Sequence, residues 1–355
     1  KLAPMKLVFV ILFAVVASVF SKDLSIPITC NFFIATTGND TLGNGTKQAP
    51  YLTMEPISNK TSDIRCQGGA QSACNVCYQG GTYPEVSSPT MWNTTARGIL
   101  HVLRNDWDNV TRSKPNCSSI CMFIHGSPSA TVVIDGFAGG IVLKDTEAYI
   151  SNSDFTDVGS KELTSFSSSV TIDESTFEGD SLTSASGHSL MIKNVKWTNV
   201  APSQIIATSI TLANSTLSVN GVNNSLVLGS TNVLDIVVQN NTFSGCDIYK
   251  KDAGCLSLIT YSAGFNFRIS DNEFSGTGSY IHTSWNYDSG SIEVSRNTFG
   301  ETKRDIITTK ATLYNDLKNV MNIFNIHDNT MKGSPQECEP GNVAYKNIIN
   351  CLPCF

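Results

Sequence analysis

One apolar position recurs eight times between residues 155 and 331, each time with the same neighbours. The anchors are Phe155, Phe177, Trp197, Leu217, Phe243, Phe274, Phe299 and Met331. Call each anchor position 0. Position −5 is then Ile150, Ile172, Ile192, Leu212, Val238, Ile269, Val294 and Ile326. Position −7 is Ala148, Val170, Leu190, Ile210, Ile236, Phe267, Ile292 and Phe324. Apolar residues two apart predict a strand with one buried face. Positions −3 and −2 are mostly Asn, Asp or Ser, the residues that tolerate a tight bend.

Successive anchors lie 22, 20, 20, 26, 31, 25 and 32 residues apart. A segment of roughly that length makes one coil of three short strands and three turns, too small to bury its apolar face alone, so coils must stack. Stacking sets equivalent residues about 4.8 Å apart. Position −2 is Asn in four successive repeats, Asn241, Asn272, Asn297 and Asn329, which predicts side-chain amides bonded along the stack. An antiparallel sandwich would need hairpin turns and would not repeat one register eight times.

Segments ahead of the repeats carry a resemblance. Gly38-Asn39-Asp40, Gly45-Thr46 and Pro50 to Thr53 form a G-x-D…G-T…P-x-x-T pattern. Gly81-Thr82-Tyr83-Pro84-Glu85 is a G-T-Y-x-E segment, and a strand-like run ends at Gly136. Together with the repeats, from about residue 33 to 333, these resemble right-handed parallel β-helix proteins of the pectin-lyase-like superfamily. The resemblance implies an all-β solenoid of three-strand coils. It leaves function open, because that scaffold carries lyases, hydrolases, esterases and adhesins.

The expected organisation is a leader with signal peptide (1–21), an N-terminal cap with the first coils (22–124), the coils (125–333) and a Cys-rich C-terminal cap (334–355). Lys6 followed by the uncharged run Leu7 to Val19 reads as a signal peptide, too short to span a bilayer. No apolar C-terminal tail suggests an anchor, so the expectation is a secreted protein without a membrane span. Eleven cysteines fit export, with disulfides expected and zinc as the alternative for Cys74/Cys77 and Cys351/Cys354. Cys246 and Cys255 are expected to bridge and cap a projecting loop. Nine N-x-[ST] sequons, at Asn39, Asn44, Asn59, Asn93, Asn109, Asn116, Asn214, Asn223 and Asn240, permit glycosylation but are near the number chance supplies. A net charge of −6 argues against nucleic acid as a partner.

Chemistry is written faintly. Hydrolases of the superfamily pair carboxylates, commonly in an Asp-Asp dipeptide, so that one acid protonates the leaving oxygen and the other activates water; this chain has no such dipeptide. The lyase and methylesterase motifs are missing too. Asp271, Arg296 and Asp328 occupy position −3 of successive repeats, where an Arg between two acids is either a lyase-like base or a salt-bridge stack. Tyr280, His282, Trp285 and Tyr287 cluster where the coils lengthen, either as a sugar-binding platform on a projecting loop or as inward strand residues. No metal site or cofactor is expected, with calcium relevant only to a lyase. The expected function is non-catalytic glycan binding, adhesion or structure at the cell surface. The alternative is a lyase or glycoside hydrolase acting on acidic polysaccharide.

Overall fold

The computed structural model describes residues 29–58, 73–84, 90–91, 99–104, 115–116, 120–125, 131–138, 140–155, 163–166, 168–179, 182–200, 203–219, 225–230, 234–247, 254–285, 289–302, 306–311, 323–332 and 346–349. Residues 1–30 form one unit and residues 31–355 another, and every described strand lies in the second. The expected leader, Cys66, Cys117, Cys338, Cys351 and Cys354, and the sequons Asn59, Asn93, Asn109 and Asn223 lie outside the described residues.

The described part is all-β, with one short helix at Glu55–Ser58. Its strands form a 21-stranded, an 8-stranded and a 2-stranded sheet, through which three stacks of paired strands run, and the long strands Leu182–Lys193 and Ser203–Ala213 belong to both the first and the third. Glu147–Ser151, Ser169–Asp173, Asp235–Gln239 and Phe265–Ser270 belong to the first stack. Asp154–Phe155, Thr176–Glu178 and Lys196–Thr198 belong to the second. Leu226–Ser230, Leu256–Thr260 and Ile281–Trp285 belong to the third. Neighbours within each stack pair in parallel, except that Lys346–Ile349 closes the third stack antiparallel to Ile307–Ala311.

The −5 residues stand in one register as an unbroken column. Ile150 pairs with Ile172, Ile172 with Ile192, Ile192 with Leu212, and so on to Val294 with Ile326. The column also runs the other way, through Ile134, Val102 and Val76 to Phe32. Nearly all of these side chains are buried, as are those of the −7 column. Anchor rings stack on one another: Phe155 on Phe177 at 4.9 Å, and Phe243 on Phe274 at 4.7 Å. Each buried apolar side chain of this size contributes about 1.5–3 kcal/mol, so the core is one continuous column with no separate nucleus per coil.

The bend after each first-stack strand has one solution. All eight −3 residues, Asn152, Glu174, Asn194, Asn214, Asn240, Asp271, Arg296 and Asp328, are left-handed, with φ between 47° and 59°. A single left-handed residue turns the chain sharply, and Asn and Asp accept that conformation at least strain among residues with a Cβ. The following −2 side chain points inward and ties the levels together. The amide N–H of Asn241 donates to Asn272 Oδ1 at 2.9 Å, that of Asn272 to Asn297 at 3.0 Å, and that of Asn297 to Asn329 at 2.9 Å. Each Asn Nδ2 in turn donates to a −5 carbonyl of the preceding level: Asn241 to Leu212, Asn272 to Val238, Asn297 to Ile269 and Asn329 to Val294. In three of the four earlier levels Ser takes the position, with Val195 in the other, and the Ser153 amide donates to Ser175 Oγ.

The segments ahead of the repeats also acquire physical meaning. Asp40 Oδ1 accepts from the amides of Leu52 and Thr53, and Oδ2 accepts from the Thr53 hydroxyl. A Cβ at Gly38 would lie 2.0 Å from the Tyr51 carbonyl oxygen, so only glycine fits there. Tyr83 is buried and donates to the Gln79 carbonyl at 2.6 Å.

Candidate functional site

The Arg296 guanidinium grips Asp271 with both ends of its fork, Nε to Oδ1 at 2.7 Å and Nη2 to Oδ2 at 2.8 Å. Asp328 bonds instead to His327 Nδ1 at 2.9 Å, and His327 Nε2 stands 3.7 Å from Glu293. The hydrogen bond from Arg296 holds the Asp271 carboxyl below the usual carboxylate range, and the same bond raises Arg296 further. A lyase base must lose its proton near the working pH, and a glycosidase acid must keep one. Both groups are shifted the other way. The pair sits at an exposed corner and ties one coil to the next, as does the 2.8 Å Lys193–Asp173 bridge, also between adjacent levels.

The aromatic candidates require a correction. Tyr280 and Trp285 are each 0% exposed and belong to the interior. The strand Ile281–Trp285 lies in the third stack between Leu256–Thr260 and Ile307–Ala311, so its alternate residues Ile281, Thr283 and Trp285 point inward. Trp285 packs edge-on against Phe324 at 5.6 Å, and Tyr280 lies against Phe274 and Phe299 at 5.8 Å each. Burial pushes the Tyr280 hydroxyl up to about 12, with the Asp247 charge adding to it, and it donates to the Gly276 carbonyl at 2.8 Å. These rings cannot offer a face to a sugar. His282 is also buried, with Nδ1 2.9 Å from Thr308 Oγ1. Tyr287 lies outside the described residues.

Cys246 and Cys255 are bonded, with Cα atoms 5.1 Å apart. Both are fully buried within the core, so the bridge itself is no part of a projecting loop. Cys30, Cys74 and Cys77 are disulfide-bonded as well. Among the described residues no three His, Cys, Asp or Glu side chains converge as metal ligands. No described helix is long and apolar enough to cross a membrane.

The outward face of the first stack holds what the sequence reading passed over. Position −6 faces out, and six successive levels carry Val133, Tyr149, Thr171, Met191, Thr211 and Val237, none of them charged. The next two levels carry Arg268 and Glu293. Tyr149 is 37% exposed and Met191 40%. Two residues earlier in each strand, Ser169, Ser189 and Ser209 line up in register. Tyr149 donates to Glu147 at 2.8 Å; partial burial first, then this bond and the Glu147 charge, push its hydroxyl up to about 12. It is a neutral, hydrogen-bonded ring on the outward face. The signal for it was the −6 column itself, legible once −7 and −5 are assigned inward.

These features define a class: an all-β protein of parallel strands in stacked sheets. No family model matches the chain, and no curated protein does. Among solved structures it is similar to the crystal structure of PfbA, a surface adhesin of Streptococcus pneumoniae, at 11% identity and a TM-score of 0.24 over 78% of this chain and 88% of that one. A likeness so faint assigns neither fold nor activity.

Proposed function

We propose that the chain is exported, that its three stacks close into a right-handed parallel β-helix, and that it acts without catalysis by binding polysaccharide across the outward face of the first stack around Tyr149. The uncharged −6 column carries this reading. Over six levels, about 24 Å at the usual strand spacing, it offers one exposed aromatic ring, one exposed thioether and rows of hydroxyls at a regular repeat. A sugar ring is apolar above and below and polar at its rim, which suits a fixed tyrosine flanked by Ser and Thr. The regular hydroxyl spacing suits a linear repeating polymer. The disulfides favour an oxidising compartment, in keeping with export. The pairing of Arg296 with Asp271 favours a scaffold role for the charged corner residues.

The test is a binding assay of the full chain on immobilised neutral and acidic polysaccharides, with a parallel assay for polyuronate turnover. Tyr149→Ala should weaken binding by about 1–3 kcal/mol, roughly 5- to 150-fold in Kd, and leave melting nearly unchanged. Binding that survives this change intact would place the contact elsewhere. Turnover that disappears in Asp271→Asn or Arg296→Gln would overturn the non-catalytic reading.

A further inference from the structure

Four of the left-handed corner residues are asparagines, and they fall into two kinds. Asn152 Nδ2 donates to Asp135 Oδ1 at 2.7 Å, and Asn194 Nδ2 donates to Asp173 Oδ1 at 2.7 Å. In each case the acceptor is the −4 aspartate of the preceding level. Asn214 and Asn240 have Lys193 and Ala213 at that place instead. Both are exposed, and among the described residues neither side chain is engaged in a hydrogen bond. These two, and not the other two, are followed by Thr at position −1: Asn214-Ser215-Thr216 and Asn240-Asn241-Thr242. Thr216 and Thr242 are exposed while Ser215 and Asn241 are buried in the ladder.

We infer that Asn214 and Asn240 carry N-linked oligosaccharides, as a pair on adjacent levels of one corner. The inference rests on the export proposed above. The Asn Nδ2 forms a bond to C1 of an oligosaccharide carried on a polyprenyl diphosphate. The bond from C1 to the diphosphate oxygen breaks, Nδ2 loses a proton, and polyprenyl diphosphate leaves. At these two corners the substituted amide gives up no cross-coil bond. At Asn152 and Asn194 it would give one up. The Asn214 level lies three strand steps from that of Tyr149.

The test expresses the full chain in eukaryotic secretory cells, once with its own residues 1–21 and once behind a leader of proven function. Deglycosylation in heavy-oxygen water then turns each occupied Asn into a mass-labelled Asp for tandem mass spectrometry. Both sites should be occupied, and Thr216→Ala and Thr242→Ala should each remove one glycan while keeping the corner asparagine. Failure of the first protein alone to reach the medium would count against the export signal and not against the sites. Sequons installed by Asp154→Thr at Asn152 and Lys196→Thr at Asn194 supply the contrast. Glycans there should lower the melting temperature by several degrees relative to the same variant made with donor-lipid synthesis inhibited, while those at Asn214 and Asn240 leave it unmoved. Secreted protein largely unmodified at either site, or a glycan there as destabilising as one at Asn152, would overturn the inference.

Discussion

The −2 asparagines show at the residue scale why a polar side chain belongs inside this core. Asn272 accepts from the Asn241 amide and donates to the Val238 carbonyl, so both backbone groups are satisfied where water is excluded. Asn272→Ala should therefore destabilise the chain by about 1–3 kcal/mol for each buried group left unpaired, measured by chemical denaturation. An unchanged midpoint would show that the ladder is decorative. At the neighbouring corner the Asp271–Arg296 pair is exposed, so its net contribution is small and fades with salt. Because Asp271's folded pKa is depressed, that contribution is present above the ordinary aspartate range and is lost as pH falls through the depressed value. The gap in melting temperature between wild type and Asp271→Asn should close as the solution is acidified below that range. A gap that widens on acidification would contradict the assignment. The repeated −3 and −2 residue types made this bend legible in advance. What they did not reveal is which −3 side chains would be committed, since that depends on the −4 residue a full coil earlier.

Strand by strand, the outcome divides by how strongly periodicity constrains a segment. The first-stack strands were legible because two apolar columns and an anchor repeat together eight times. The third-stack strands, with less regular spacing from the anchors, were not. Ile281–Trp285 lies in a stretch rich in aromatic and polar residues, and composition alone is compatible with a projecting loop as well as with an inward strand. Its parallel neighbours on both sides settle the matter, and a neighbour in register is long-range information that one segment does not carry. Trp285→Ala should accordingly remove about 3–5 kcal/mol of stability without altering polysaccharide binding by the part that remains folded. Weakened binding with unchanged melting would restore the platform reading. The Cys246–Cys255 bridge follows the same logic. Its position in the core means that removing it disturbs the coils above and below as well as the residues between the two cysteines. The Cys246 amide donates to Ser275 at 3.0 Å and the Cys255 amide to Ser279 at 3.1 Å, both one coil further on.

Considered as a whole molecule, the chain has a single organising rule: each level repeats the register of the one before, from Phe32 to Ile326 along the −5 column. Eight levels of that column could be read directly. The earlier ones were hidden because their anchors are missing, although Val76, Val102 and Ile134 preserve the apolar alternation. A rule of this kind also bears on where a binding site can lie. A stack without interruption presents columns, and a column can only become a site where its outward residues change character, as the −6 column does around Tyr149 and Met191. The register itself is tested most directly by cysteine pairs on the outward row Ser169, Ser189 and Ser209, whose members pair level to level. Adjacent levels bring Cα atoms to about 4.8 Å, within disulfide reach, while alternate levels stand about 9.6 Å apart, beyond it. Under mild oxidation Ser169→Cys with Ser189→Cys should crosslink within the folded monomer, and Ser169→Cys with Ser209→Cys should remain reduced. Crosslinking of the 169 and 209 pair instead would contradict the stacked register on which the fold and the proposed binding face depend.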